Sequence, residues 1–210
     1  MSTPTPETDQ QIIDALGGSV PGRDEAELAR LHGQLAAAAH ARDLLDVAYR
    51  TVDSPVGPLL VAVTPDGLVR VAFEIEDHDA VLRQLAGSVS PRILQSGRRT
   101  DDVARQLDEY FAGRRRQFDV AVDLRLVDGF RRAVITHLPD IAYGATESYA
   151  TVAAAAGSPK AVRAVGTACA HNPVPIVVPC HRVVRSDGSI GQYLGGVEAK
   201  AALLALEAAA

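Results

Sequence analysis

The run Val174-Pro175-Ile176-Val177-Val178 contains no polar side chain and stops at Pro179. It is too short to cross a membrane and too rich in β-branched residues to favour a helix. A chain carrying it must bury it, and the pattern predicts a strand or extended piece inside a core. Directly after it come Cys180, His181, Arg182 and Val183. A candidate thiol nucleophile with an imidazole beside it therefore stands at the end of a buried, rigid element, where it can be both positioned and reached.

The chain has 210 residues, enough for one large domain or two small ones with real cores. Its 47% hydrophobic and 22% charged residues are those of an ordinary soluble globular protein. The first residues, with Glu7 and Asp9 and no basic stretch ahead of an apolar one, do not read as a signal peptide, so a cytoplasmic location is expected, without a membrane partner. The two cysteines, Cys169 and Cys180, make no disulfide framework. The six histidines show no metal-ligand spacing, and neither a metal nor any other cofactor is expected. The net charge of −5 divides unevenly, −7 over residues 1–128 and +2 over residues 129–210. A polyanion would prefer the C-terminal part, although so small an excess permits nucleic-acid binding rather than indicating it.

Three segments follow from the patterning. Residues 1–46 read as a helical N-terminal extension. Gln10–Leu16 forms a short helix, Pro21-Gly22 a break, and a second helix starts at a cap made by Asp24 with Glu27, carrying Leu28, Leu31 and Leu35 on one face. That face fits packing on its own protein or on a partner. Residues 47–125 read as a small α/β domain. Val47–Val52, Leu59–Thr64 and Leu68–Phe73 are its strands, Pro65-Asp66-Gly67 a turn, and Asp79–Ala86 and Asp101–Ala112 its helices, with Phe118–Val122 returning to the sheet. The Arg114-Arg115-Arg116 cluster fits a solvated loop or a phosphate contact. Residues 126–210 turn mainly helical, over Phe130–Leu138, Ser148–Ala156, Lys160–Ala170 and Val197–Ala208.

Helix, glycine-containing turn and helix from Ser148 to His171 make a helix-turn-helix pattern. The second helix carries Ala, Gly and Thr on one face and one long cation, Arg163. A major-groove reader would carry several polar side chains for base edges. The composition fits either close packing on another helix or close approach to DNA without sequence readout.

The ordered set Ser148-Tyr149, Arg163-Ala164-Val165-Gly166, Asn172-Pro173-Val174-Pro175, Pro179-Cys180-His181-Arg182-Val183, Tyr193-Leu194-Gly195-Gly196 and Glu207 resembles the O6-alkylguanine-DNA alkyltransferases, over about residues 47–210. The resemblance implies a ribonuclease-H-like α/β N-terminal domain, with a small sheet plus helices. It is followed by a mainly α, helix-turn-helix (winged-helix-like) C-terminal domain that binds DNA and carries the chemistry. It further implies a single-turnover enzyme. Cys180 takes the alkyl group from O6-alkylguanine in double-stranded DNA, with O4-alkylthymine open as a second substrate, and is consumed because a thioether is stable. By the same resemblance His181 accepts the thiol proton through water, Glu207 orients the imidazole, and Tyr149 protonates the leaving base. Asn172 ties the recognition helix to the active-site loop. Carbonyls of Cys180 and Val183 would accept from the guanine amino group, the Leu194 N–H would face O6, Tyr193 would wall the pocket, and Gly195 and Gly196 would fold the loop over the base.

The target atom lies inside a duplex, so the nucleotide must be flipped out. Arg163 resembles the arginine that fills the gap. Ala161, Ala164 and Gly166 would approach the minor groove, and Ser148, Ser158, Lys160 and Ser186 would contact phosphates. A monomer is expected, with cooperative binding along DNA left open. The chain departs from the family at Ala170, where some relatives are basic, and at Ile135, where many bacterial members have Trp. Cys169 reads as a structural thiol. The competing functions are a lesion-binding protein without alkyl transfer and a thiol hydrolase.

Overall fold

The computed structural model describes residues 23–42 and 44–209. The chain divides between Leu44 and Leu45 into two units. In the first, a helix spans Arg23–Ala41 (α1), so it already includes Arg23 rather than starting after an Asp24 cap. Leu28, Leu31 and Leu35 on it are each about half exposed. The expected helix at Gln10–Leu16 and the break at Pro21-Gly22 lie outside the described residues.

The second unit opens with strands Val47–Val52 (β1), Leu59–Thr64 (β2) and Gly67–Phe73 (β3). Helix His78–Ser88 (α2), strand Ile93–Gln95 (β4) and helix Gly97–Phe111 (α3) follow. The sheet order is β3-β2-β1-β4, with antiparallel neighbours except for the parallel pair of β1 and β4. β2 is buried along its whole length, as a central strand between helices must be. Leu60 and Ala62 meet Val81 and Leu85 of α2, while α3 packs against β1 and β2. The stretch Phe118–Val122 does not form a strand. It touches β3 only through a bridge between Leu68 and Val122, with the Leu68 N–H donating to the Ala121 carbonyl at 2.8 Å. Gly67, at φ +135°, lets that crossing come close, because a Cβ there would strike the Ala121 backbone.

Helices Gly129–His137 (α4), Tyr149–Ala155 (α5) and Val162–Ala170 (α6) pack on one another. Ser148 caps α5, its hydroxyl accepting from the Thr151 N–H at 3.0 Å, and Gly157 at φ +79° breaks the chain before α6. Strand Glu147–Ser148 (β5) pairs in parallel with Val183–Val184 (β6), and helix Gly196–Ala208 (α7) closes the described chain. One backbone bond, the Val71 N–H to the Pro173 carbonyl at 2.8 Å, joins edge strand β3 to the segment before Cys180. Among the described residues no helix is long and apolar enough to cross a membrane.

The apolar run Val174–Val178 is buried as expected, but it is a turn and not a strand. Pro175 and Val178 bridge across it, and Ile176 takes φ +73°. A β-branched residue there is strained, by about 1–3 kcal/mol. The side chain of Asn172 offsets that cost. Its Oδ1 accepts from the Val174 N–H at 3.1 Å and its Nδ2 donates to the Val178 carbonyl at 2.8 Å, closing the turn at both ends.

Candidate active site

Cys180 does not sit on extended backbone. Cys180–Arg182 form one 3-10 turn directly after the Asn172-closed loop. Alternation along a strand, which would send neighbouring side chains to opposite sides, therefore does not apply to Cys180 and His181. Asn172 Nδ2 also reaches the Cys180 Sγ at 3.1 Å, so one amide holds both the turn and the sulfur. Burial pushes the thiol up to about 11, against the downward pull of the Asn172 hydrogen bond and the Lys200 charge. A thiol of that kind is protonated at neutral pH and needs a base to become nucleophilic.

His181 is fully buried, and burial lowers its pKa. Its Nε2 lies 2.9 Å from Glu207 Oε1. A carboxylate only accepts, so Nε2 carries the hydrogen and Nδ1 is left as the proton acceptor. Nδ1 is buried and makes no hydrogen bond to any described group. Glu207, on α7, is held from all sides. Oε1 accepts from the Tyr110 hydroxyl at 2.8 Å, His181 Nε2 at 2.9 Å and an Arg182 NH2 at 2.9 Å. Oε2 accepts from Arg182 Nε at 2.9 Å and the Gly144 N–H at 3.2 Å. Burial opposes ionisation of this carboxyl, but the His181, Arg182 and Tyr110 hydrogen bonds overcome it and hold its pKa at about 2.

Tyr149 opens α5 directly after β5, so the ladder of Glu147 on Val183 and Ser148 on Val184 sets its place beside the Cys180 turn. Burial raises its phenol, which keeps it a proton donor. Gly191 lets its loop lie close beside it, because a Cβ there would come 2.8 Å from the Tyr149 hydroxyl. Tyr193 stacks edge-on between Phe73, at 5.5 Å, and His181, at 6.4 Å. Gly195 lies against Phe73 so closely that a Cβ would come within 2.7 Å of the ring. Leu194 is half-buried in the same loop, and Gly196, also half-buried, opens α7. The Val183 carbonyl already accepts from Lys200 Nζ at 2.5 Å and has one lone pair left.

Of the residues expected on DNA, Arg163, Ala164 and Gly166 stand on α6. Arg163 and Ala164 are exposed on α6, Gly166 is half-buried there, and the opposite side buries Val165, Ala168 and Cys169. The small-residue face is therefore open rather than packed on another helix. Ala161 and Lys160 precede α6 instead of belonging to it. Ser158 is half-buried, Ser186 is exposed, and the Ser148 hydroxyl is committed to its cap.

Reading from the sequence alone missed Tyr110, Arg182 and Lys200. For Lys200 a signal existed. Ala199, Lys200, Leu203 and Glu207 share the buried face of α7, and ionisable residues at core positions of a helix need buried partners.

Residues 129–209 match the family described as 6-O-methylguanine DNA methyltransferase, DNA binding domain, and residues 47–124 match its ribonuclease-like domain. A methylated-DNA–protein-cysteine methyltransferase of Mycolicibacterium paratuberculosis is 40% identical over 161 residues, covering 77% of this chain and 92% of its own. The constitutive one of Bacillus subtilis is 37% identical, covering 76% and 94%. The crystal structure of Mycobacterium tuberculosis O6-methylguanine methyltransferase superposes with a TM-score of 0.68 at 38% identity, covering 78% of this chain and 93% of that one. Mycobacterium tuberculosis OGT in complex with DNA gives 0.67 at 38% identity, covering 77% and 93%. With both halves matched in order and the buried Cys180, His181 and Glu207 drawn together, the chain belongs to the 6-O-methylguanine DNA methyltransferase family.

Proposed function

We propose that this protein repairs DNA by direct reversal, moving the alkyl group of O6-alkylguanine onto its own Cys180. The reading rests on one observation. A buried thiol held at 3.1 Å by Asn172 is followed by an imidazole whose Nε2 is committed to an ionised Glu207, leaving Nδ1 to accept a proton. The thiol proton passes through water to His181 Nδ1. The sulfur–carbon bond forms as the carbon–O6 bond breaks, and the electron pair leaves with the guanine. Tyr149 protonates the departing base and recovers a proton from His181. One proton leaves the thiol and one reaches the guanine, so the reaction balances without a cofactor.

The exposed face of α6 carries the DNA side of this reading. Arg163 enters the stack where the nucleotide is flipped out, and the small residues around it allow close approach to the groove. Ser158, Lys160 and Ser186 are the phosphate contacts, and O4-alkylthymine is a candidate second substrate. The protein acts as a cytoplasmic monomer. Its working parts are an N-terminal extension (1–46), an α/β domain (47–125) and a catalytic, DNA-binding domain (126–210).

Intact-mass analysis after incubation with a methylguanine-containing duplex tests the proposal. One added methyl mass per molecule, in the peptide bearing Cys180, is expected. A methyl mapped to Cys169, or many turnovers per molecule, would refute it.

A further inference from the structure

Tyr110 lies on α3, 97 positions before Glu207. Its ring is fully buried among Phe111, Phe118 and Tyr143, at centroid distances of 5.3, 5.3 and 6.1 Å. Packing on all sides fixes where its hydroxyl points, and it points at Glu207 Oε1. The same oxygen receives His181 Nε2 and an Arg182 NH2. Three donors converge on an atom with two lone pairs, so they compete for its charge.

We propose that Tyr110 is a positioning residue for the alkyl transfer, fixing the aim of Glu207 Oε1 at His181 and drawing off part of that oxygen's negative charge. The inference rests on the alkyl-transfer reading of the site. A carboxylate that pulls too hard on the imidazole N–H stabilises the imidazolium, and a protonated His181 has no site to take the thiol proton. The other titratable or charged groups facing the pair are Arg182, Tyr143, Lys200 and Tyr193, whose ring stands edge-on to the imidazole at 6.4 Å. Arg182 and Lys200 both oppose a charged His181, and none of the four comes from α3. The sheet-bearing half of the chain thus reaches the Glu207 carboxylate itself through the Tyr110 hydroxyl.

The test is a titration of the His181 imidazole by NMR in the full-length protein, which needs no substrate and so stands or falls separately from the alkyl-transfer reading. Tyr110→Phe keeps the ring and removes the donor. The His181 pKa should rise by roughly half to one unit. The acid limb of Cys180 alkylation by free O6-benzylguanine should move up with it, at unchanged half-saturation. Replacing Tyr110 by 3,5-difluorotyrosine, a stronger donor of nearly the same shape, should move both the other way. If Tyr110→Phe fails to fold, the fluorinated protein alone decides. An unmoved His181 in the folded variants, or slower alkylation with an unmoved pH limb, would overturn the proposal.

Discussion

Replacing Glu207 with Gln is the perturbation that best separates chemistry from architecture in this site. The carboxylate accepts five hydrogen bonds, two of them from Arg182, whose side chain is only 7% exposed. An amide offers one acceptor oxygen and places N–H groups where Arg182 or the Gly144 N–H already donates. The guanidinium then stays buried without its counter-charge. Breaking a buried ion pair from one side costs about 3–5 kcal/mol, a large share of a total stability of about 5–15 kcal/mol. Glu207→Gln should therefore lower the urea midpoint strongly as well as slow alkylation of Cys180. Adding Arg182→Met removes the orphaned charge, so the double variant should recover more than about 1 kcal/mol of the lost stability while alkylation stays slow. Equilibrium urea unfolding and single-turnover mass analysis, run on both variants, measure the two effects. A wild-type urea midpoint in Glu207→Gln, or a double variant less stable than the single one, would refute the assignment of Glu207 as the counter-ion of the buried Arg182.

Two further outcomes follow from the same geometry. Glu207 is held near 2 against an ordinary 4.5, so its stabilisation is present above about pH 4.5 and is lost as the pH falls toward 2. The unfolded chain binds the extra proton in that window. Stability measured in urea should drop by about 3 kcal/mol more across it in the wild type than in Glu207→Gln, and parallel curves would contradict the shift. Arg163→Ala should weaken repair of duplex DNA far more than reaction with free O6-benzylguanine, because only the duplex needs a base extruded. Equal losses on both substrates, read as rates of Cys180 alkylation, would remove Arg163 from that role.

How much of this was legible in the sequence depended on whether the determinants were local. β1 and β2 fall where β-branched and aromatic residues run between turn signals, and they begin and end where the pattern says. β4 escaped because it has three residues squeezed between Ser90-Pro91 and Ser96-Gly97. It exists only through its parallel pairing with β1. The Val174–Val178 run misled for a related reason. Its composition asks for a strand, but Asn172 satisfies the backbone from outside the run and lets Ile176 turn back. Cys180, His181 and Glu207 could be found by their resemblance to a family. Tyr110 could not, since nothing local marks a tyrosine whose hydroxyl donates to a carboxylate 97 positions away. Arg182 stood in the recognised motif, yet its bidentate hold on Glu207 emerges only once α7 has packed.

The two rungs between β5 and β6 act as a caliper between Tyr149 and the segment that follows Cys180. Paired strands sit about 4.8 Å apart, and the backbone that leads into Tyr149 is locked to Val183 and Val184 by that ladder. Peptide groups set this span, so no side-chain exchange can widen it. The loop of Gly191, Tyr193 and Gly195 is held differently, by side-chain packing on Tyr149 and Phe73. On the proposed alkyl-transfer reading, room for larger alkyl groups is made not from the ladder but from the loop side. Variants selected for bulkier substrates should therefore change there, and leave the caliper alone.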